Sequence, residues 1–144
     1  MKYHTLRGRI TEGVVERLVI DDGRLTHAMK ITKFVVAPDV TAAGNDCVAS
    51  LSTNANFTTL WDFSDNNQIA WAGLTGTGVA APNQEFSLVD RDHIVVRDLY
   101  IFGQVLGAGG TDQINYYIEM EAVEIKEFEA AVALIKERSQ GDLR

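Results

Sequence analysis

The sequence predicts an all-β fold, an antiparallel β-sandwich with the jelly roll as its candidate topology. Three observations carry this. Apolar residues recur with a period of two through most of the chain, the mark of strands that pack on one face. Clusters of Gly, Pro, Asn and Asp interrupt that pattern at the spacing of sandwich or barrel turns. The period changes to a helical one near the C-terminus, where a single amphipathic stripe appears.

The 144 residues, 46% of them hydrophobic, suit one domain spanning 1–144. Such a length buries roughly 68–70% of the unfolded surface, enough for a core without metals or disulfides. Twenty acidic against 13 basic residues leave a formal net charge of −7. That balance argues against nucleic acid as the main partner, because binding it requires a cationic field. One cysteine, Cys47, excludes an intrachain disulfide and reads as a small buried apolar residue. No stretch approaches the roughly 18 apolar residues of a membrane helix. The opening "MKYHTLRGRI" has no apolar signal core. The expectation is a soluble protein made in a reducing compartment.

The strands follow in order. "YHTLRGRI" is the first and "VVERLVI" (Val14–Ile20) the second. Asp22-Gly23 then reads as a two-residue hairpin turn into "LTHAMKITKFVVA" (Leu25–Ala37). In that run Leu25, Met29 and Ile31 share one face before Phe34 and Val36 take over. Such a slip of phase predicts a bulge. "PDVTAAGND" breaks the pattern, and "CVASLST", "FTTLWDF", "QIAWAG" and "EFSLV" are short strand candidates. The two longest are His93–Leu106 and Gln113–Lys126, joined by "GAGGTD" and expected to pair as a hairpin. The count is eight to nine strands. A short helix is expected over about 127–139, with Phe128, Ala131, Val132 and Ile135 as its stripe. Glu127 and Glu129 at its start, Lys136 and Arg138 near its end, and Gly141 beyond it fit the helix dipole and a stop signal.

Candidate chemistry is sparse. Asp62, Ser64 and Asn66 alternate as the first ligands of a calcium loop do. Asn67 and Gly73 stand where that loop needs glycine and glutamate, so an ordinary turn is the better reading. "GLTGTG" resembles a phosphate cradle but lacks the Gly-Lys-Ser/Thr ending, and reads as a loop. His4, His27 and His93 have no ligand spacing, and His27 reads as partly buried. Glu119 and Glu121 share a face with Asn115 and Tyr117, as on a solvated strand. No catalytic residue, cofactor or metal is expected. Trp61 and Trp71, with Phe57 and Phe63, are either core residues or an aromatic platform for sugar rings.

"HIVVRDLYIF" (His93–Phe102) poses a different problem. Val95, Leu99 and Ile101 lie on one face, and Ile94, Val96, Tyr100 and Phe102 on the other. Both faces are apolar, so the second needs a cover. The C-terminal helix is the candidate, folded back on its own domain or docked on a neighbour. Phe128, Val132, Ile135, Tyr100 and Phe102 are therefore the interface candidates. Arg97 and Asp98 point to opposite faces, and each needs a partner of its own if buried.

Taken with "LRGRITEGVVERLVIDDGR", "DHIVVRDLYI" and "INYYIEMEAVEI" running into "ALIKERSQGDLR", the chain resembles the small β-rich virion structural proteins of tailed bacteriophages. Those are capsid decoration, cement or minor head proteins. The resemblance implies a non-enzymatic, multi-copy role in the virion, after assembly in the host cytoplasm. The implied partners are the major capsid protein or other virion proteins, together with self-association, and neither nucleic acid nor membrane. It carries over no site residues. The rival reading is a carbohydrate-binding β-sandwich module that uses Trp61 and Trp71.

Overall fold

The structure is a computed structural model that describes residues 2–20, 27–38, 46–57, 60–75, 84–95, 98–106 and 113–124. Eight strands are present among them: β1 (Lys2–Thr11), β2 (Glu16–Val19), β3 (His27–Pro38), β4 (Asp46–Ser52), β5 (Gln68–Thr75), β6 (Gln84–Val89), β7 (Asp98–Leu106) and β8 (Gln113–Glu124). The expected helix over 127–139, with Phe128, Val132 and Ile135, lies outside the described residues. So do most of "PDVTAAGND", "GLTGTGVAAPN" and "GAGGTD".

The strands form two antiparallel sheets, β1-β8-β3 and β2-β7-β4-β5-β6. This is the all-β sandwich that the alternating pattern predicts. β1 pairs with β8, β2 with β7 and β4 with β5, three of the nested pairs of a jelly roll, but β3 and β6 lie in different sheets. β6 completes the series differently. It is hydrogen-bonded to β5 and lies near β3, where Ser87 Oγ donates to Phe34 O at 2.6 Å. A second tie on β3 joins Met29 and Val95, each N–H donating to the other's carbonyl at 2.8 Å.

Two expected hairpins are not formed. The strands flanking Asp22-Gly23, β2 and β3, lie in different sheets. β7 and β8 do as well: β7 sits between β2 and β4, and β8 between β1 and β3. Turn composition marks a reversal but does not choose the partner, and here these reversals cross from one layer to the other. Among its described residues, Phe57 and 60–63, "FTTLWDF" has no strand. The last long strand but one starts at Asp98 rather than His93, and Val95 belongs to the bridge with Met29.

The expected bulge is present. The β3–β8 register shifts between Ile31 and Lys33, so Ile31 and Phe34, three residues apart, both enter the core. Thr32 occupies the bulge, and its hydroxyl donates to Glu119 O at 3.1 Å.

The core fills the space between sheets by size matching. The inner face of the five-stranded sheet carries small residues at its centre, including Ala49, Ala70, Ala72 and Gly103, all buried. The three-stranded sheet answers with Ile31, Phe34, Ile114, Ile118 and Met120. Large chains facing small ones let the two layers interdigitate at crystal-like density. At Gly103 the approach is closest: a Cβ there would lie 2.8 Å from Ile114 Cδ1 and 3.0 Å from Val48 O. Gly13, at φ 77°, takes the left-handed turn between β1 and β2, and its N–H donates to Gly103 O at 2.9 Å.

Candidate functional site

The two outer faces differ in chemistry. On the three-stranded sheet, register places Tyr3 opposite Glu121 and Lys30 beyond it, then Thr5, Glu119 and Lys33, then Arg7, Tyr117 and Val35. Carboxylates between hydroxyls and lysines make an ordinary solvated face. Tyr117 OH donates to Glu119 Oε1 at 2.9 Å, and that bond raises the phenol above its usual range. The acidic strand Asn115–Glu121 thus sits on the face the alternation assigns to it.

The five-stranded sheet is different. Its outward positions include Tyr100 and Phe102 on β7, Ser50 on β4, Trp71 on β5, and Phe86 and Leu88 on β6. Part of this face is covered by the described residues of the connection from β4 to β5, 53–57 and 60–67. Phe57 packs on Phe102 with ring centroids 5.4 Å apart. Trp61 lies over Gly73, where the missing Cβ leaves room for the indole, and meets Phe86 at 4.9 Å. Phe63 stands edge-on to Trp71 at 4.7 Å. These contacts answer part of the problem of the doubly apolar strand. On its second face Phe102 is covered by Phe57 of the β4–β5 connection. The C-terminal segment, to which the pattern assigned the task, lies outside the described residues.

Hydrogen bonds hold the connection in place. Trp61 Nε1 donates to Ala49 O at 3.0 Å, anchoring it to β4. Gln68 Oε1 accepts from Trp71 Nε1 at 2.8 Å and from Asp62 N at 2.9 Å. Asp62 Oδ1 accepts from Ser64 N at 3.0 Å, and Asp65 Oδ1 from Asn67 N at 2.9 Å. These are side-chain-closed turns, which is the reading the composition favoured over a calcium loop. Among the described residues no His, Cys, Asp and Glu side chains gather as a metal site.

Neither tryptophan belongs to the core between the sheets. Trp71 is 6% exposed, but Phe63 and the connection bury it on the outer side. Trp71 is buried, as the core reading expects, but on the outward face of β5, and Trp61 is only half-buried. Sequence pattern cannot see this placement, because the alternation of "QIAWAG" does not say which layer lies outside. What remains exposed is Phe63 at 63%, Phe86 at 42% and Leu88 at 46%. Cross-strand register sets Leu88 beside Trp71 and Phe86 beside Gly73, so Phe63 and Leu88 adjoin Trp71 and Phe86 adjoins Trp61 on one outward face.

Of the interface candidates that can be placed, Tyr100 and Phe102 share the outer face of β7, half-buried. Asp98 finds its partner in Arg17 of β2, with Nη2 to Oδ1 at 2.8 Å. Arg97 is outside the described residues. An open cleft of about 590 Å³ runs between β3 and β6, lined by Lys33, Arg91 and Glu119. Burial lowers the His93 imidazole below its usual range, against the pull of Asp90.

Cys47 is fully buried in the core, as its composition suggests. Burial raises its thiol from 9.0 to about 11, with a backbone bond from Leu74 opposing. A thiol is neutral when protonated, so on raising the pH the unfolded chain loses this proton first. The stabilisation is complete below about pH 9 and falls as pH climbs toward 11, by at most about 1.4 kcal/mol per unit. Native protein should therefore resist iodoacetamide at about pH 8 and react only in denaturant. Its alkaline loss of stability should flatten in Cys47→Ala. Rapid alkylation of the folded chain would show that the core opens locally at β4.

The described residues form an all-β sandwich of two antiparallel sheets, one with a polar and the other with an aromatic outer surface. Compared with family models, curated proteins and solved structures, the chain matches none of them.

Proposed function

We propose that the protein is a non-enzymatic structural component of a virion, bound in many copies to a capsid lattice as a decoration, cement or minor capsid protein. The observation that carries this reading is the set of exposed Phe63, Phe86 and Leu88 beside Trp61 and Trp71 on one outward face. Large apolar side chains standing together on one face, opposite a polar one, mark a contact surface. The nested strand pairs add support, because jelly rolls serve viral capsids. The buried, protonated Cys47 and the turn-forming acids of residues 62–67 are structural in character.

Jelly rolls also serve lectins, which keeps the carbohydrate reading as the rival. Against it, both indole N–H groups are used inside the protein, on Ala49 O and on Gln68. Sugar recognition needs aromatic faces with free polar groups beside them.

The test is co-sedimentation with shells assembled from the major capsid protein of the same genome. Saturable binding is expected, reduced at least tenfold by Phe63→Ser with Phe86→Ser while the melting temperature stays within a few degrees. A chain that ignores such shells but binds a glycan array, with loss in Trp61→Ala, would replace this reading by its rival.

A further inference from the structure

A sheet edge presents backbone N–H and C=O groups to any strand that reaches it, so folded proteins guard their edges. Four edges are present among the described residues: β1 and β3 in one sheet, β2 and β6 in the other. Three carry a guard. β1 bears Lys2, Arg7 and Arg9, and β2 is four residues long. β3 is bulged, and Val95 and Ser87 occupy its outward groups at Met29 and Phe34. β6 has no bulge, proline or lysine, and Glu85 is its one charge.

Register shows which groups of β6 are open. Asp90 N donates to Ile69 O at 2.8 Å, one step beyond the Val89–Ala70 pair. Residues of an antiparallel strand exchange bonds with the partner alternately. Phe86 and Leu88 therefore bond to β5, as Asp90 does, and Glu85, Ser87 and Val89 turn their backbone groups away from it. Among the described residues no hydrogen bond uses those outward groups.

Ser87, Leu88 and Val89 form one wall of the cleft of about 590 Å³, so the open edge lies within it. Elsewhere in its lining Lys33 and Arg91 meet a single carboxylate, Glu119. Tyr117 OH already occupies Glu119 Oε1, and neither cation forms an ion pair among the described residues. Glu85, Asp90 and Asp92 do not line the cleft. In a chain of net charge −7 the cleft is thus locally cationic.

A strand added to β6 alternates its side chains between two sides. One set lies beside Phe86 and Leu88, which are exposed on the aromatic face. The other set lies in the cleft with Lys33 and Arg91. We propose that β6 is a docking edge for an extended segment of a partner protein in which apolar and acidic residues alternate. Backbone pairing supplies the affinity and the two sides select the sequence. This does not rest on the virion role.

The experiment is amide NMR of the full 144-residue chain, titrated with a short blocked peptide of alternating valine and glutamate. A peptide with lysine in place of glutamate is the control. The amide signals of Glu85, Ser87 and Val89 should shift saturably, and their hydrogen exchange should slow about tenfold or more at saturation. Exchange at Phe86 and Leu88, already bonded to β5, should change far less. The lysine peptide should bind about tenfold more weakly, and the double variant Lys33→Glu with Arg91→Glu should reverse that preference. Both side chains are exposed, and a melt would verify that the variant folds.

Shifts confined to Trp61, Phe63 and Trp71 overturn the inference, because the peptide then lies on the aromatic face without pairing. So do equal binding of the two peptides and an absence of shifts at Glu85, Ser87 and Val89 in millimolar peptide. Slow exchange at these three amides in the free chain would mean that the edge has another occupant. That occupant is a second copy where protection grows with protein concentration, and the chain's own residues where it does not; either overturns the inference. Shell binding is a separate measurement. Peptide pairing without it leaves this inference standing and removes the virion role, and shell binding by a chain that ignores both peptides does the reverse.

Discussion

Phe34→Ala is expected to cost about 3–5 kcal/mol, the usual range for a fully buried phenylalanine cut back to alanine. For a domain of this length that is a fall of roughly 10–15 °C in the melting temperature. Phe34 is fully buried and is the largest side chain wholly inside the core. It follows the β3 bulge, whose extra residue turns it inward with Ile31. Its carbonyl also accepts the Ser87 hydroxyl, so the residue stands where β3 and β6 tie the two sheets together. The neighbours cannot collapse into the space, because the backbone on one side is held by Ser87 and on the other by the β8 ladder. Lys33→Ala, on the exposed side of the same strand, should change stability by less than about 0.5 kcal/mol. Thermal or urea melts of the two variants check the contrast. Equal and small effects would mean that the bulge does not direct Phe34 into the core.

Gly103→Ala is expected to lose about 1–3 kcal/mol by the opposite mechanism, overpacking. The new methyl would meet Ile114 Cδ1 at 2.8 Å, Val48 O at 3.0 Å and Ala49 Cβ at 3.2 Å. The isoleucine end can swing aside, but the Val48 carbonyl belongs to a strand held on both sides by β5 and β7 and cannot. The pair therefore has a definite signature. Ile114→Val removes the Cδ1 atom and alone should cost about 0.5–1.5 kcal/mol. In the double variant the losses should add to less than their sum, with a coupling of at least about 0.5 kcal/mol, because one clash has been relieved. Strict additivity would show that the strain lies wholly at the backbone carbonyl. The glycine is thus read as spacing between sheets, which no turn signal in "IFGQVL" announces.

Much of the fold is legible in the residues. Period-two alternation is a local property, and it places most of the strands close to their observed spans, with β7 starting late. The shift from Ile31 to Phe34 also reads as a bulge without any structure, because only an extra residue keeps both on one face. The site is legible only in its ingredients. Phe57, Trp61, Phe63 and Trp71 stand out as a cluster in sequence, yet whether they form core, platform or cover depends on where residues 53–67 come to rest.

The misreadings share one cause. Asp22-Gly23 is good hairpin chemistry, and "GAGGTD" joins two long strands, yet both reversals lead from one sheet to the other. Turn residues set the local direction of the chain. Which strand a neighbour pairs with depends on contacts distant in sequence, such as Lys2 of β1 with Ala122 of β8. Many pairings satisfy the same alternating pattern, and the choice among them is made by how bulk on one sheet fits small residues on the other. The matching of Phe34 and Ile114 to the alanines and Gly103 is such a fit. Most of the strands, the bulge in β3 and the acidic balance were therefore set by the residues alone. Strand order, the packing of Phe57 on Phe102 and the exposure of Phe63, Phe86 and Leu88 emerged only once distant segments packed together.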